Sequence, residues 1–457
     1  MTESINYVID ENASIKEALK VIENNHKGII CLSGKKSNSK NCIVAVATDG
    51  DIRRAFLKGV SIDDPISKCA NYNFQYASND LSRENIIKKL DGPIRCLPVL
   101  DKNLKFQSMI SKDDFPLKNE GPIYVRSRAP VRVAFGGGGS DVTHYFEKNM
   151  GAVINATISI YSHATMKVNN NNEIKISSLD LDYELNAKNL DDAITKKGPL
   201  GLIQSILKII KPDFGFDLFL NSDYSVGSGL GGSATVSAAV IGCFNELRND
   251  KWNRHEIAEI AFQAERHYLG IAGGWQDQYA AVFGGFNFLE FKADQNIVHP
   301  IRVQDDIILE LEDSLILCDT GILHNSGNIH NDQKKTTSSK EMKEQIKKSV
   351  DLTYDIRNYL LRGSLSNFGE TLHQAWSLKK KFSKLISNKE IDEIYEFAIK
   401  NGATGGKLLG AGGGGFFIFY VPPFKKNILI KSLQERGHVL KPFTFEVNGM
   451  QAWRTRQ

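Results

Sequence analysis

Glycine falls in clusters along this chain, at 136–139, 227–232, 270–274, 284–285, 402–406 and 410–415, and the cluster at 227–232 runs straight into a stretch of small residues. The segment reads Val226-Gly227-Ser228-Gly229-Leu230-Gly231-Gly232-Ser233-Ala234-Thr235, then Val236-Ser237-Ala238-Ala239-Val240-Ile241. Glycines let the backbone approach an anion, and a helix start offers free N–H groups and partial positive charge. Positions Gly227 to Ala234 are therefore predicted to cradle phosphate at the start of a helix, Thr235 to Glu246. Ser233 would sit in the first turn, where its hydroxyl can reach a metal held by the phosphates. A glycine turn that only packs a helix on a sheet is the plainer alternative; the crowding of small residues weighs against it.

Several phosphate loops share such glycines and differ in what flanks them. Gly227-x-Gly229-x-x-Gly232 fits the dinucleotide fingerprint, which needs a second parallel strand and an acid about 20 residues on. Here polar residues 248–254 lead into another helix, so that strand is missing. Gly34-Lys35-Lys36 lacks the hydroxyl and the upstream glycine of a Walker loop. What stays is Gly229-Leu230-Gly231-Gly232-Ser233-Ala234 opening a helix, and this segment resembles the nucleotide loop of the GHMP kinases.

That resemblance implies ATP and Mg²⁺ and assigns roles to other residues. Glu265, in a predicted helix 255–269, would join Ser233 as a magnesium ligand. Asp277, in Gly273-Gly274-Trp275-Gln276-Asp277-Gln278, would face the acceptor hydroxyl, orient it and take its proton. Mg²⁺ takes hard oxygens and keeps several waters, so one Ser and one Glu suffice beside the phosphates. Alone, Glu265 reads as a surface helix acid and Asp277 as a loop acid; their spacing after the glycine loop joins them. The upstream segment Arg128 to Asp141, with Gly136-Gly137-Gly138-Gly139-Ser140, resembles the sugar-side motif. Arg132 would stabilise charge on the transferred phosphoryl group or tune Asp277. Asp141, beside Gly138 and Gly139, would accept hydrogen bonds from sugar hydroxyls, because a fixed carboxylate bridges two of them well. Gly405 to Ile418 matches the family's C-terminal loop, which would close over acceptor and phosphates with Lys407, Gly412 and Gly413.

The likeness extends to one branch. Residues 151–158, 277–281, 373–380, 407–412 and 441–446 look like the D-glycero-D-manno-heptose 7-phosphate kinases, which phosphorylate the anomeric hydroxyl to the 1,7-bisphosphate on the way to GDP-heptose for surface polysaccharide. After Asp141 that branch has a proline-containing turn, whereas this chain has Val142-Thr143-His144-Tyr145. These residues would border the sugar, so a fucose- or galactose-like acceptor stays open. The 7-phosphate needs a cationic pocket, for which His144, His324, Lys334 and Lys407 are candidates. A different class, an adenine-nucleotide sensor with a vestigial kinase domain, is disfavoured by the intact set Arg132, Ser233, Glu265 and Asp277.

The first 115 residues have no glycine-rich loop and carry a weak repeat. Ser14-Ile15-Lys16-Glu17-Ala18-Leu19 opens an amphipathic helix, and Ser82 opens another after an interval of 68 positions, 14 to 82. Each leads to an apolar stretch, 28–32 and 95–100, and each unit closes with a hydroxyl, two residues and an acid: Thr48 to Asp51 and Ser111 to Asp114. The interval there is 63 positions, 48 to 111, as a loop insertion in one copy of a duplicated unit would leave it. Val46 to Arg54 resembles the signature of CBS-domain pairs, which implies an adenine nucleotide held by Thr48, Asp51, Ser111 and Asp114. A module that binds nothing and serves in dimerisation stands beside that reading, and a homodimer is expected on either.

The fold expected is α+β: a CBS pair over 1–116, a linker over 117–124, and a GHMP kinase in two lobes, 125–330 and 331–457. The net charge of +4 over 457 residues, without a block of like charge, excludes a nucleic-acid tail. The pair Lys334-Lys335 reads as a solvated helix start. No run approaches eighteen apolar residues and the first residues carry acids without an apolar core, so neither a membrane span nor a secretory signal is expected, and the cytoplasm is the expected compartment. The six scattered cysteines contain no CxxC pair, which argues for buried reduced thiols and against a zinc cluster.

Overall fold

In a computed structural model, residues 7–36, 39–78, 81–114, 123–322, 329, 332 and 339–455 are described. The chain forms two units, Met1–Glu120 and Gly121–Gln457. Most of the expected linker, His324 and Lys334-Lys335 lie outside the described residues, and Tyr124 already belongs to a strand.

The first unit is one α/β pattern made twice. In the first copy β1 (Val8–Asp10) leads to α1 (Ile15–Asn25), β2 (Ile29–Lys36), β3 (Ser39–Thr48) and α2 (Asp49–Phe56). In the second, β4 (Ala77–Ser78) leads to α3 (Arg83–Leu90), β5 (Cys96–Leu100) and β6 (Phe106–Ser111). Each first strand pairs parallel with the second, and the second antiparallel with the third. Ser14 and Ser82 are the N-caps of the matching helices, accepting from the Glu17 and Asn85 amides. The copies share an apolar cluster in which Cys31 and Val46 of one pack with Cys96 and Leu100 of the other.

In the second unit, β7 (Tyr124–Gly136) and the 19-residue β8 (Gly151–Asn169) form the spine of an eight-stranded sheet. One edge of β8 pairs with β7; the other pairs first with β12 (Phe286–Phe291), then with β11 (Gly215–Ser222). β9 (Ile174–Ser178), β10 (Tyr183–Ala187) and β13 (Asn296–Pro300) extend this sheet. The first half of β8 is buried on both faces and its second half alternates, because helices cover only part of the sheet. The helix predicted after the glycine loop is α7 (Gly232–Leu247); its buried Ala238, Val240, Ile241 and Phe244 pack on the spine strands. Phe244 meets Phe216 of β11 edge-on at 5.3 Å, and burying each ring contributes roughly 1.5–3 kcal/mol.

The remaining helices are α4 (Thr143–Phe146), α5 (Leu190–Thr195), α6 (Gly201–Ile210), α8 (Arg254–Gln263), α9 (Gln276–Phe283), α10 (Asp305–Ser314), α11 (Lys340–Leu361), α12 (Leu365–Lys379), α13 (Lys389–Lys400) and α14 (Lys426–Glu435). A second sheet has the order β15 (Gly405–Leu408), β16 (Phe416–Tyr420), β14 (Leu315–Asp319) and β17 (Leu440–Lys441). Two strands cross the lobe boundary expected at 330. β14 belongs to the second sheet, where β16 and β17 pair with it on either side, and β18 (Gln451–Thr455) returns to the first sheet to pair with β7. There the Arg128 guanidinium donates to Gln451 Oε1 at 3.1 and 2.9 Å, which fixes the return.

All six cysteines are buried and none is in a disulfide. Among the described residues no helix is long and apolar enough to cross a membrane.

Candidate active site

The glycine loop enters α7 through Gly231, which holds φ +84° at the N-cap and has the Asp277 carboxyl 3.3 Å from where a Cβ would stand. Gly232 and Ser233 form the first turn, and no side chain caps it, so its amides are free for an anion. Tyr224 closes over Gly232, accepting or donating with Ser162 Oγ at 2.5 Å and donating to the Gly232 carbonyl at 3.2 Å.

Three distant segments meet at this loop. Arg132 of β7 is 4% exposed and donates from Nε and Nη2 to the two oxygens of Asp277, at 2.8 and 3.0 Å. Its Nη1 donates to the Gly229 carbonyl at 2.7 Å, so one guanidinium ties the carboxylate to the glycine loop. Asp277 stands in the first turn of α9, so it is a helix residue and not the loop acid it reads as when taken alone. The predicted helix 255–269 is regular only to Gln263; Ala264–Tyr268 is a π-turn, marked by the Leu269 amide on the Ala264 carbonyl. Such single-turn bulges recur at functional sites because they re-aim a side chain. Here the turn carries Glu265, 3% exposed, onto the Ser233 hydroxyl, which donates to its Oε1; Gln278 donates to Oε2 at 2.6 Å. Arg266 stands 3.4 Å from the same carboxylate.

This pair of oxygens suits a hard cation. Among the described residues no group of three or more His, Cys, Asp or Glu gathers at one point. One hydroxyl and one carboxylate beside a phosphate-binding turn can hold Mg²⁺, whose remaining positions go to phosphate and water.

Asp141 is buried at 3% exposure. Gly139 N–H and Gln276 N–H each donate to it at 3.2 Å, and its own carbonyl accepts from Trp275 N–H at 3.0 Å. Burial, then the negative charge of Asp277, raise its pKa above the usual carboxylate range, and the two amides partly offset this. Gly274 is required here: a Cβ on it would lie 1.9 Å from Asp141 Oδ2.

The C-terminal glycine run joins β15 to β16 and packs on the nucleotide-type loop. A Cβ on Gly410 would stand 2.5 Å from the Gly229 carbonyl, and one on Gly415 2.3 Å from that of Ser228. Lys379, at the end of α12, donates to the Leu408 and Gly410 carbonyls at 2.9 and 2.6 Å and so holds the turn down.

A cavity of about 790 Å³ opens at these residues, within the range of small-molecule sites. Its lining includes polar Arg132, Asp141, Ser233, Glu265 and Asp277 and apolar Leu200, Leu202, Ile203, Leu220 and Val226. Gly139, Gly227, Ser228, Gly229, Gly231, Gly232, Gly410 and Ala411 also line it. Gly138, His144, Lys407, Gly412 and Gly413 do not line it. His144 sits on α4, and Gly413 N–H donates to the Ile386 carbonyl at 2.8 Å, with Gly412 packed on the same residue. Leu230 and Ala234 are fully buried under the loop and support it from the core.

Sequence reasoning missed Gln278, Lys379 and the apolar segment 199–203. The run Gly198-Pro199-Leu200-Gly201-Leu202-Ile203 carries a helix-start signal, proline before α6, that could have flagged the last of these.

In the first unit, Thr48 and Asp51 form the capping box of α2: the hydroxyl donates to Oδ2 at 2.6 Å and accepts from the Asp51 amide. In the second copy the Ser111 hydroxyl donates to Asp114 Oδ2 at 2.7 Å, and Lys27 donates to the Ser111 hydroxyl at 2.8 Å.

Residues 200–285 match the GHMP kinases N terminal domain and residues 356–439 the GHMP kinases C terminal family. The D-glycero-alpha-D-manno-heptose 7-phosphate kinase of Campylobacter jejuni is 37% identical over 338 residues, which span 72% of this chain and 99% of that protein. A solved D-glycero-D-manno-heptose 1-phosphate kinase from Bacteroides thetaiotaomicron is 29% identical, with a TM-score of 0.61 over 73% of this chain and all of that one. The Lactococcus lactis galactokinase with galactose shares the fold at 18% identity, with a TM-score of 0.59 over 73% of this chain and 96% of that one.

Proposed function

This chain belongs to the GHMP kinases and is a sugar kinase, a phosphotransferase with an alcohol group as acceptor, and we propose that it moves the γ-phosphate of ATP to the anomeric hydroxyl of D-glycero-D-manno-heptose 7-phosphate. The observation that carries the proposal is the Arg132–Asp277 pair standing against Gly229 and Gly231 of the glycine loop. The near-complete span of the 37% identical heptose 7-phosphate kinase supports the acceptor.

On this reading the cavity's apolar lining residues take the adenosine, and the amides of 227–233 take the phosphates. Mg²⁺, held by Ser233 and Glu265, would neutralise charge on those phosphates. Gln278 keeps Glu265 turned toward Ser233. Asp277 orients the acceptor hydroxyl and accepts its proton, while Arg132 fixes that carboxylate and offers positive charge where the phosphoryl group passes. Asp141 accepts from sugar hydroxyls, held in place by the Gly139 and Gln276 amides. Transfer of this kind rests on positioning and charge rather than covalent chemistry.

The test is product analysis with heptose 7-phosphate and ATP. Phosphate appearing at carbon 1 is the expected result; turnover of plain fucose or galactose in preference to the heptose phosphate would refute the acceptor.

For the first unit we propose a CBS pair that binds an adenine nucleotide beside Thr48, Asp51, Ser111 and Asp114 and associates in twos. Its repeated β-α-β-β units and matching hydroxyl–acid boxes support this. Because the second unit also takes ATP, the assay uses AMP, and a Thr48→Ala, Ser111→Ala variant should lose its thermal stabilisation. Equal AMP stabilisation of both proteins would refute the assignment.

A further inference from the structure

Lys407 of β15 is 4% exposed, yet among the described residues its ammonium makes no hydrogen bond and no ion pair. It is also absent from the fully enclosed unpaired atoms, so Nζ keeps an opening to solvent. Burial and the charge of Arg132 push its pKa down to about 7. Lys379 beside it is pushed well down by burial, by Lys407 and by Arg132, with Asp277 and Asp141 opposing. Three cations therefore stand with two carboxylates. Asp277 is committed to Arg132 through both oxygens, and Asp141 to backbone amides. A buried ammonium without an acceptor is costly, and a bound anion removes that cost.

We infer that Lys407, with Lys379 beside it, receives a phosphate oxyanion of a bound substrate, the phosphate monoester that the acceptor sugar already carries. The source of the anion rests on the heptose 7-phosphate reading; the anion site itself does not. Neither lysine lines the cavity that the glycine loop shares with Asp141 and Asp277, but Lys379 holds Gly410, which does line it, so the pair stands directly behind that wall. Lys379 has two of its donors on the Leu408 and Gly410 carbonyls and acts as a positioning residue, holding β15 and its turn where Lys407 can reach the ligand.

The test uses the full chain with Lys407→Met, which keeps length and loses charge, and Lys407→Arg, which keeps charge. Inorganic phosphate is titrated calorimetrically without nucleotide. The wild type should bind it, Lys407→Met about tenfold or more weakly, and Lys407→Arg within about threefold of wild type. In steady state, Lys407→Met should raise KM for the phosphorylated sugar about tenfold, leave KM for ATP unchanged and erase the preference for phosphorylated over plain sugar. A rise in KM for ATP with sugar preference intact keeps the oxyanion site but assigns it to the nucleotide. Unchanged phosphate affinity in a folded Lys407→Met protein overturns the inference, and Lys407→Gln provides the same comparison if the methionine variant does not fold. Phosphate binding through Lys407 in an enzyme that ignores heptose 7-phosphate would remove the acceptor reading and leave the anion site standing.

Discussion

Arg132 and Asp277, 145 positions apart in the chain, meet in a two-point ion pair whose remaining guanidinium nitrogen grips the Gly229 carbonyl. The contact is short, and it sits where β7, the start of α9 and the glycine loop converge. Truncating Asp277 strands Arg132 as a buried charge, which is the expensive way to break such a pair.

Asp277→Asn should lower kcat by roughly 10²–10⁴-fold, because an amide cannot take the acceptor's proton. ATP affinity should stay near wild type, since the loop amides and the apolar side chains lining the cavity are untouched. Single-turnover kinetics with a separate nucleotide titration checks both halves. Near-normal turnover would remove Asp277 from its role.

Ser233→Ala and Glu265→Gln should each raise the magnesium concentration for half-maximal rate by about 10–100-fold. Gln278→Ala should act in the same direction but more weakly, because it only orients Glu265. Rates measured across a magnesium series at fixed ATP give the answer; an unshifted magnesium requirement would contradict the ligand pair.

Gly274→Ala should damage acceptor use more than nucleotide use. Its added carbon would collide with Asp141 Oδ2, and a displacement near 1 Å at a reacting site costs about 100-fold in rate. The readout is kcat/KM for the sugar against KM for ATP, and a selective loss on the nucleotide side would count against Asp141 as a sugar ligand.

Lys407 makes stability depend on pH in a defined direction. Its ammonium titrates at about 7 in the folded chain against an ordinary value of 10.5. Between those values the unfolded chain binds more protons, so stability rises with pH across that window; below about 7 both states are protonated and the burial cost is full. Arg132 and Lys379 are the cations that face it, Asp277 and Asp141 the nearby carboxylates. Lys407→Met lacks this rise, so its stability advantage over wild type should shrink by about 2–3 kcal/mol from about pH 7 to about pH 9. Urea melts of both proteins at the two pH values measure it, and a constant gap would exclude the buried ammonium as the cause.

Much of this site could be read from the chain because its parts are local motifs. The glycine loop and α7 follow from eight consecutive residues, and Ser14 and Ser82 announce their helices by cap chemistry alone. Glu265 and Asp277 were legible as candidates by spacing. What stayed hidden needs the third dimension. The π-turn that aims Glu265 leaves no composition signal, since Ala264-Glu265-Arg266 reads as ordinary helix. Lys379 looks like one of three consecutive surface lysines until α12 packs its end against the 408–410 turn. That β14 and β18 cross the expected lobe boundary was not legible, because strand runs reveal apolar patterning and not partners: Leu315 and Leu317 look alike whether they join the first sheet or the second.

The return of β18 to β7 has a consequence for how this enzyme is made. Tyr124 lies opposite Thr455, so an edge laid down before the whole catalytic unit waits for a strand synthesised after nearly all of it. A nascent chain that already contains the glycine loop, Glu265 and Asp277 still presents a bare row of backbone donors and acceptors on β7, the kind of edge that recruits foreign strands. Loss of β18 would thus leave the chemistry encoded and the protein prone to aggregate during synthesis.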